Sequence, residues 1–290
     1  MRIASGWREY ELIDATGGER LERWGDVILI RPDPQIIWRN PKPSPLWSNA
    51  DARYIRSSSG GGEWLFNKRL PESWVVTYKN LSFKVKPTGF KHTGLFPEQA
   101  VNWDLCVDFI KKADRTLKIL NLFAYTGGAT LACAAACSDV EICHLDAVKN
   151  MVEWAGENAA LSGLKDRKIR WLIDDAMKFI AREKRRNVKY DAIILDPPSY
   201  GRGTGGEMWK LEDSIHALMS DCTEILSDTP LFILLNSYTT GLSPSVMAYL
   251  LKMTVGKKYK TEITADEIGL PVTTTGLALP CGSSAMVVFD

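Results

Sequence analysis

Three short stretches of this 290-residue chain carry residue types that could do chemistry together. The sharpest is Asp196-Pro197-Pro198-Ser199-Tyr200, directly after the apolar run Tyr190–Leu195. Two prolines behind a strand fix an extended backbone and remove two N–H donors. What they leave are acceptors: the Asp196 carboxylate and the Pro197 carbonyl can each take a hydrogen bond from an incoming group. Tyr200 adds a ring able to stack on a flat acceptor, and a plain structural turn is the competing reading. The second stretch is Leu117 to Thr130, an apolar strand that runs through Asn121, Phe123, Ala124 and Tyr125 into Thr126-Gly127-Gly128 and a helix of small residues. Small residues there relax the φ restriction and let a ligand approach the backbone closely. The spacing is not the Gly-x-Gly-x-x-Gly dinucleotide fingerprint.

The third feature is a set of acids at further strand ends. Asp146, followed by Ala147, comes about 20 residues after the glycines, where an acid can take both hydroxyls of a ribose. Asp146 alone would suit NAD equally well. Asp174-Asp175-Ala176 ends the next strand. Asp175 can accept from an adenine amino group while Ala176 offers a backbone N–H to the ring, and one of the two acids can also cap the helix that starts there. Spread over one βαβαβαβ run, these residues describe a nucleoside-bearing cofactor beside a planar acceptor, which points to methyl transfer from S-adenosylmethionine. Gly201 to Lys210 reads as a glycine-rich lid, with Arg202 and Trp209 as substrate contacts.

Helix and strand alternate from Gly94 onward. The spacing predicts helices over Glu98–Lys112, from about Ala129, and over Val148–Ser162, Ala176–Arg185, Leu211–Leu226 and Ser243–Thr254. Strands are predicted over Leu117–Phe123, Glu141–Leu145, Ile169–Ile173, Tyr190–Leu195 and Leu231–Asn236, with two late ones near Lys258–Ile263 and Ser284–Phe289. Such alternation makes an α/β protein with a parallel, doubly wound, Rossmann-like sheet. Residues 1–85 read differently, as a small β-rich N-terminal domain joined to a second domain over 86–290. Short runs at Tyr10–Asp14, Val27–Ile30, Ile36–Trp38, Trp64–Phe66 and Trp74–Tyr78 are punctuated by Gly17-Gly18, Pro32-Asp-Pro34 and Ser57 to Gly62. Trp7, Trp24, Trp38, Trp47, Trp64 and Trp74 all fall there. They read first as filling for a thin core and second as stacking platforms for single-stranded RNA.

Composition bounds the remaining choices. Charged residues make up 24% and apolar residues 45%, with a net charge of +1, so no global field argues for or against nucleic acid. No secretory signal or membrane-spanning run is visible, which makes a cytoplasmic location the expectation. The six cysteines lack a Cys-x-x-Cys. Cys133 and Cys137 on an Ala-rich helix read as small packing residues, the three histidines show no ligand spacing, and no metal is expected. The Arg182 to Arg186 run reads as a solvated helix end.

Asn121-Leu-Phe-Ala-Tyr-Thr-Gly127, Asp146, Glu157-Asn158-Ala159, Asp175-Ala176 and Asp196-Pro-Pro-Ser-Tyr200 together resemble the motifs of class I S-adenosylmethionine-dependent methyltransferases. The branch they resemble is the bacterial 23S ribosomal RNA methyltransferase group of cytosine-C5 and guanine-N7 type. Thr93-Gly-Leu-Phe-Pro-Glu-Gln99 and Leu279-Pro-Cys-Gly-Ser-Ser284 add to the likeness, which is strong over residues 90–290 and loose before them. The resemblance implies a seven-stranded sheet closed by an antiparallel hairpin. It implies that Phe123 to Gly128 line the methionine half of the cofactor, with Asp146 at the ribose, Asp175 at the adenine, Asp196 at the methyl-transfer site and Gln99 nearby. It also implies RNA as partner. Cytosine-C5 members carry a nucleophilic Cys after the fifth strand, where this chain reads Leu235-Asn236-Ser237-Tyr238. Carbon methylation needs a covalent adduct. A nitrogen needs only an aimed lone pair in a dry site, so the chain leans to a base nitrogen, with Asn236 as a further substrate contact. The rivals are a small-molecule or protein methyltransferase of the same fold, an NAD-dependent oxidoreductase, and a non-catalytic binding protein.

Overall fold

A computed structural model describes residues 1–57, 61–202 and 208–289. The chain divides into two compact units, one of Ile3–Ala100 with Gly269–Pro280, the other of Met1–Arg2, Val101–Ile268 and Cys281–Asp290.

After the two-residue strand β1 (Arg2–Ile3), the N-terminal unit holds β2 (Tyr10–Thr16), β3 (Glu19–Trp24), β4 (Val27–Pro32), β5 (Ala52–Arg56) and β6 (Gly62–Phe66) in one five-stranded sheet of that order. β7 (Trp74–Tyr78) and β8 (Leu81–Val85) form a separate antiparallel pair. Strand β3, Glu-Arg-Leu-Glu-Arg-Trp, escapes sequence reading because its charges argue against a strand, yet Arg20 and Glu22 are buried in it as ion partners. The predicted Ile36–Trp38 strand is irregular chain instead, following a turn at residues 34–35, with Gly17 and Gly18 donating to the Trp38 and Ile36 carbonyls. Of the Ser57 to Gly62 turn, residues 58–60 lie outside the described residues.

Of the six tryptophans in this unit one is buried, four are half-buried and one is exposed. Trp24 is fully buried, and Trp7, Trp38, Trp47, Trp64 and Trp74 each donate the indole N–H to an acceptor in the same unit. Trp38 is 42% exposed. The unit also extends past residue 85. Residues 86–100 are tied into it by hydrogen bonds from Arg31 to the Lys91 carbonyl, Trp64 to Thr88 and Trp7 to Pro97.

The second unit begins with α1 (Ala100–Ala113), then β9 (Leu117–Leu122), α2 (Gly128–Ala136), β10 (Val140–Asp146), α3 (Lys149–Leu161), β11 (Ile169–Ile173) and α4 (Ala176–Arg185). It continues with β12 (Ala192–Leu195), the short β13 (Tyr200–Arg202) and β14 (Met208–Lys210), α5 (Leu211–Glu224), β15 (Phe232–Ser237), α6 (Pro244–Thr254), β16 (Thr261–Pro271) and β17 (Ala278–Phe289). The large sheet runs β1-β16-β17-β15-β12-β9-β10-β11. Strands β9 to β12 and β15 are parallel, and β17 runs antiparallel to β15.

This is the expected Rossmann-like sheet with one strand more than seven, because β1 adds to its edge. The last two strands are longer than their apolar stretches suggest, since their far ends, Gly269–Pro280, pack with the N-terminal unit. There Ala4 donates to the Gly269 carbonyl, and Thr273 donates to that of Leu12. The central strands are buried on both faces, as their near-continuous apolar runs require. Leu120, Ile193, Leu195, Ile233 and Leu235 share one core with Phe179, Leu218 and Met219 of the helices.

Candidate active site at the C-terminal strand ends

In an open parallel sheet, ligands bind beyond the carboxyl ends of the strands, where the order reverses. Here β9 lies between β10 and β12, so the turn after β9 sits at that reversal. The turn is strained. Phe123 and Tyr125 take left-handed φ of 56° and 50°, followed by Gly127 at 90°. For residues with a Cβ such values cost on the order of 1–3 kcal/mol each and persist only where the surroundings enforce them.

The enforcing bonds are visible. Ala124 donates to the Leu145 carbonyl, Gly127 to that of Ala124, and the buried Asn158 side chain to the Thr126 carbonyl at 2.9 Å. Thr126 is itself buried. The glycines also serve packing. A Cβ on Gly128 would lie 2.5 Å from the Trp103 ring, and one on Gly127 would lie 3.0 Å from both Ala155 and Leu131.

Asp146 closes β10. Its two oxygens accept from the backbone N–H of Tyr125 and of Val148, each at 2.9 Å. Burial pushes its carboxyl above the usual carboxylate range, while the amides of Val148, Tyr125 and Ala147 pull the other way. A carboxylate half withdrawn from water in this manner gains from hydroxyl donors on its remaining lone pairs. Beside it, Val148 and Ile173 are 51% and 48% exposed, and Ile173 is the register partner of Asp146 across β10 and β11. Two aliphatic side chains open to solvent around an acid suit a flat ring joined to a sugar. Their sequence signal was faint, an apolar residue at or just beyond the end of each strand.

Asp175 caps α4, accepting from the Lys178 amide at 2.9 Å, so the helix-capping reading holds for it. Asp174 accepts from the Asp175 amide and pairs with Arg182. Ala176 is buried behind them and Ala147 half-buried beside Asp146.

On the other side of β9, Asp196 follows β12, half-buried, with its amide donating to the Leu122 carbonyl. Pro197 is buried and Pro198 exposed. Tyr200 is 54% exposed and its hydroxyl meets the Met208 sulfur at 3.2 Å. Trp209 joins the two halves: its indole donates to the Pro198 carbonyl at 2.6 Å, and its ring lies 5.4 Å from that of Phe123. Of the expected lid, β13 and β14 pair antiparallel, while residues 203–207 and the side chain of Arg202 lie outside the described residues.

Three further expected contacts have the following settings. Asn121 is buried and donates to Thr130, whose hydroxyl meets Nδ1 of His144, both at 2.9 Å. Asn236 is buried at the end of β15, accepting from Asn102, whose own carbonyl accepts from Ser284. Both asparagines satisfy polar atoms inside the sheet, as buried polar groups must. Gln99 belongs to the N-terminal unit, buried at the end of the short turn Pro97–Gln99.

Comparison with known proteins fits this arrangement. Residues 44–233 match the family model described as S-adenosylmethionine-dependent methyltransferase. The chain belongs to that family. This methyltransferase is 38% identical to the SAM-dependent methyltransferase of Agrobacterium tumefaciens, whose crystal structure superposes with a TM-score of 0.90 over 100% of this chain and 92% of that one. A Streptococcus mutans SAM-dependent methyltransferase shares the fold at 19% identity and a TM-score of 0.74, covering 98% of this chain and 76% of that one. Among curated sequences, the ribosomal RNA large subunit methyltransferase K/L of Shewanella baltica is 29% identical over 161 residues, 53% of this chain. The Shewanella frigidimarina protein of the same name is 31% identical over 146 residues, 50% of this chain. The chain spans about a fifth of the length of these curated relatives, 21% and 20%. As a member of the family the chain is an enzyme, with S-adenosylmethionine as its cofactor.

Proposed function

We propose that this methyltransferase transfers a methyl group to a base nitrogen in RNA, ribosomal RNA first among the candidates. The observation that carries the nitrogen assignment is the end of β15. Where a carbon methylase needs a thiolate, Asn236 and Ser237 are both buried and hydrogen-bonded within the protein. Cys106, Cys133, Cys143 and Cys222 are buried, and burial holds the thiols of Cys143 and Cys222 above their ordinary range. The RNA assignment is supported by the names of the curated relatives and by the exposed Tyr200 beside Asp196.

The fit to the cofactor rests on Asp146. Its half-buried carboxylate suits the ribose hydroxyls, while Phe123, Ala124, Tyr125, Thr126, Gly127 and Gly128 would border the methionine half. Val148, Ile173, Asp175 and Ala176 would border the adenine. When bound, S-adenosylmethionine supplies an electrophilic methyl group. The protein's own part is positional. The Asp196 carboxylate and the Pro197 carbonyl accept N–H bonds from the base, so that its nitrogen lone pair is aimed rather than averaged. Tyr200 stacks on the ring and excludes water from the approach. Trp209 holds Pro198 and Phe123 in register, which keeps the acceptor end and the cofactor turn at a fixed separation.

The test is methyl transfer to ribosomal RNA in vitro, with nucleoside mass spectrometry to name the product. An N-methylated nucleoside is expected, and Asp196→Ala should cut turnover far more than cofactor affinity. RNA carrying 5-fluorocytidine should form no denaturation-resistant adduct. A stable adduct at Cys281 or Cys222 would restore carbon methylation, and methylation of protein or of small molecules alone would end the RNA assignment.

A further inference from the structure

Strand β2 is the outer strand of the five-stranded sheet in the N-terminal unit, so one side of its backbone has no partner within that sheet. Proteins cover or blunt such an edge. Here the cover is partial. Val272 bridges to Leu12, and Thr273 and Thr274 donate to the Leu12 and Ile13 carbonyls. In an antiparallel ladder every second residue turns its backbone groups away from the partner strand. Tyr10 shares that parity with Leu12, and among the described residues no strand is paired to its outer side. A cavity of about 290 Å³ lies there instead, its lining drawn wholly from this unit.

The walls of the cavity differ in kind. Leu12 and Pro271 are apolar, and Trp7 offers a half-buried indole. The indole N–H donates to the Pro97 carbonyl at 2.9 Å, and the ring packs with its centroid 5.9 Å from that of Tyr10 and 4.6 Å from that of Tyr78. A platform fixed beforehand loses little freedom when a flat ligand settles on it. The polar wall is a bonded trio. Glu11 takes Arg23 Nε on one oxygen at 3.1 Å and the Thr273 hydroxyl on the other at 2.7 Å. A carboxylate has about four acceptor positions, so one remains on each oxygen. Arg23 gives two further N–H groups to the Gly25 and Arg8 carbonyls, at 3.0 and 3.3 Å. With three engaged, about two of a guanidinium's five donors remain. The Arg23 and Glu11 side chains are 33% and 32% exposed, so both keep an open side for a ligand.

We propose that this cavity binds an unstacked guanine base. Guanine's Watson–Crick edge carries two adjacent donors and one acceptor, which complements a carboxylate beside a guanidinium. N1–H and one N2 hydrogen donate to the two oxygens of Glu11, O6 accepts from Arg23, and the ring stacks on Trp7. Adenine and cytosine offer the carboxylate a single N–H and aim a ring-nitrogen lone pair at its other oxygen. The volume is at the small end of the roughly 300–1,000 Å³ of ligand sites, which suits a bicyclic base better than a larger cofactor. An extended peptide does not fit, because Val272 and Thr273 already occupy the edge at Leu12 and leave too little strand to pair. That the guanine belongs to RNA rests on the RNA reading above, whereas the match to the base itself does not.

The experiment uses the full chain, isotope-labelled at the indole nitrogens. Guanosine, inosine, adenosine, cytidine and uridine are titrated in turn while the Trp7 indole signal, identified by its absence in Trp7→Phe, is followed by NMR. The signal should shift saturably with guanosine. Inosine, which lacks the N2 amino group, should bind about tenfold or more weakly, the scale of one hydrogen bond to a charged group. Glu11→Gln should weaken guanosine by a similar factor, since an amide keeps one acceptor oxygen and turns N–H against N–H. Loss of a partly exposed ion pair costs the fold little. The remaining indole signals and calorimetry with S-adenosylmethionine should therefore be unchanged in this variant.

A short single-stranded RNA with one guanine is then compared with the same RNA carrying adenine in its place. Tighter binding of the guanine RNA, lost in Glu11→Gln, assigns the base to RNA. Guanosine binding without that difference assigns it to a free nucleoside. Equal shifts with all the nucleosides, an unchanged guanosine affinity in Glu11→Gln, or no Trp7 shift with guanosine or RNA overturns the proposal. If guanosine binds while ribosomal RNA goes unmethylated, the RNA reading fails alone. If ribosomal RNA is methylated while the Trp7 signal stays still, the base site fails alone.

Discussion

Acidification should loosen the methyltransferase unit through one buried residue, His144. Its ring sits on β10 with Nδ1 against the Thr130 hydroxyl, which also receives Asn121, and it lies 4.8 Å from the Trp171 ring. Desolvation by burial lowers its folded-state pKa from 6.5 to about 3, with a hydrogen bond to the Tyr125 backbone opposing. The unfolded chain therefore takes up a proton as pH falls below 6.5, while the folded chain does not until about 3. Stability contributed by the neutral ring is complete above 6.5 and declines between those limits. At pH 5 the gap from 6.5 is 1.5 units, and at 1.36 kcal/mol per unit this amounts to about 2 kcal/mol.

The assay is hydrogen exchange of the β9 and β10 amides at pH 7 and pH 5, corrected for intrinsic rates, in the wild type and in His144→Gln. The variant loses the Thr130 contact and is less stable at pH 7, yet its further loss on acidification should be smaller by about 2 kcal/mol. His92 is held down in the same direction, to about 3, by burial and by Arg31, Lys91 and Arg20. It lies in the other unit, so its effect should register in β3 and β4. An equal pH dependence of β9 and β10 in both proteins would refute the reasoning.

Other expectations follow from particular contacts. Asp146→Ala should weaken S-adenosylmethionine by about 1–3 kcal/mol in calorimetric titration, the cost of leaving buried donors without their partner. Comparable binding of NAD by the wild type would contradict the cofactor assignment. Gly128→Ala should lower stability by about 1–3 kcal/mol in urea unfolding because the new methyl meets the Trp103 ring at 2.5 Å. Pairing it with Trp103→Leu should recover part of that loss, whereas strictly additive losses would show that the contact is not the cause. Trp209→Phe keeps a ring beside Phe123 but loses the bond to the Pro198 carbonyl. Turnover should fall by about two- to tenfold, the worth of one hydrogen bond, with cofactor affinity unchanged, and an unchanged rate would make the bond incidental.

Much of the second unit was legible in the chain alone. Ile169–Ile173 and Ala176–Arg185 coincide with their predicted bounds, and other core elements differ by a residue or two, because a strand buried on both faces writes a continuous apolar run and an amphipathic helix writes a periodic one. Asp146 at the end of β10 and Asp196 beyond β12 follow from the same count of strands. What the chain could not disclose is how polar side chains are shared out inside the fold. Asn121 and Asn236 stand in the right motifs yet satisfy Thr130 and Asn102 in the interior, since the choice between a ligand and a buried neighbour depends on which polar atoms burial would otherwise leave unpaired. The glycines tell the same story. Their place in the sequence suggested room for a ligand, while the room at Gly128 belongs to the Trp103 ring, brought there from another helix. Strand β3 was missed because its buried arginine and glutamate count as surface residues until β4 supplies Arg31 beside them. Local patterning thus determined the elements and the order of the acids, and only tertiary packing decided which polar groups face inward, because that depends on partners distant in the chain.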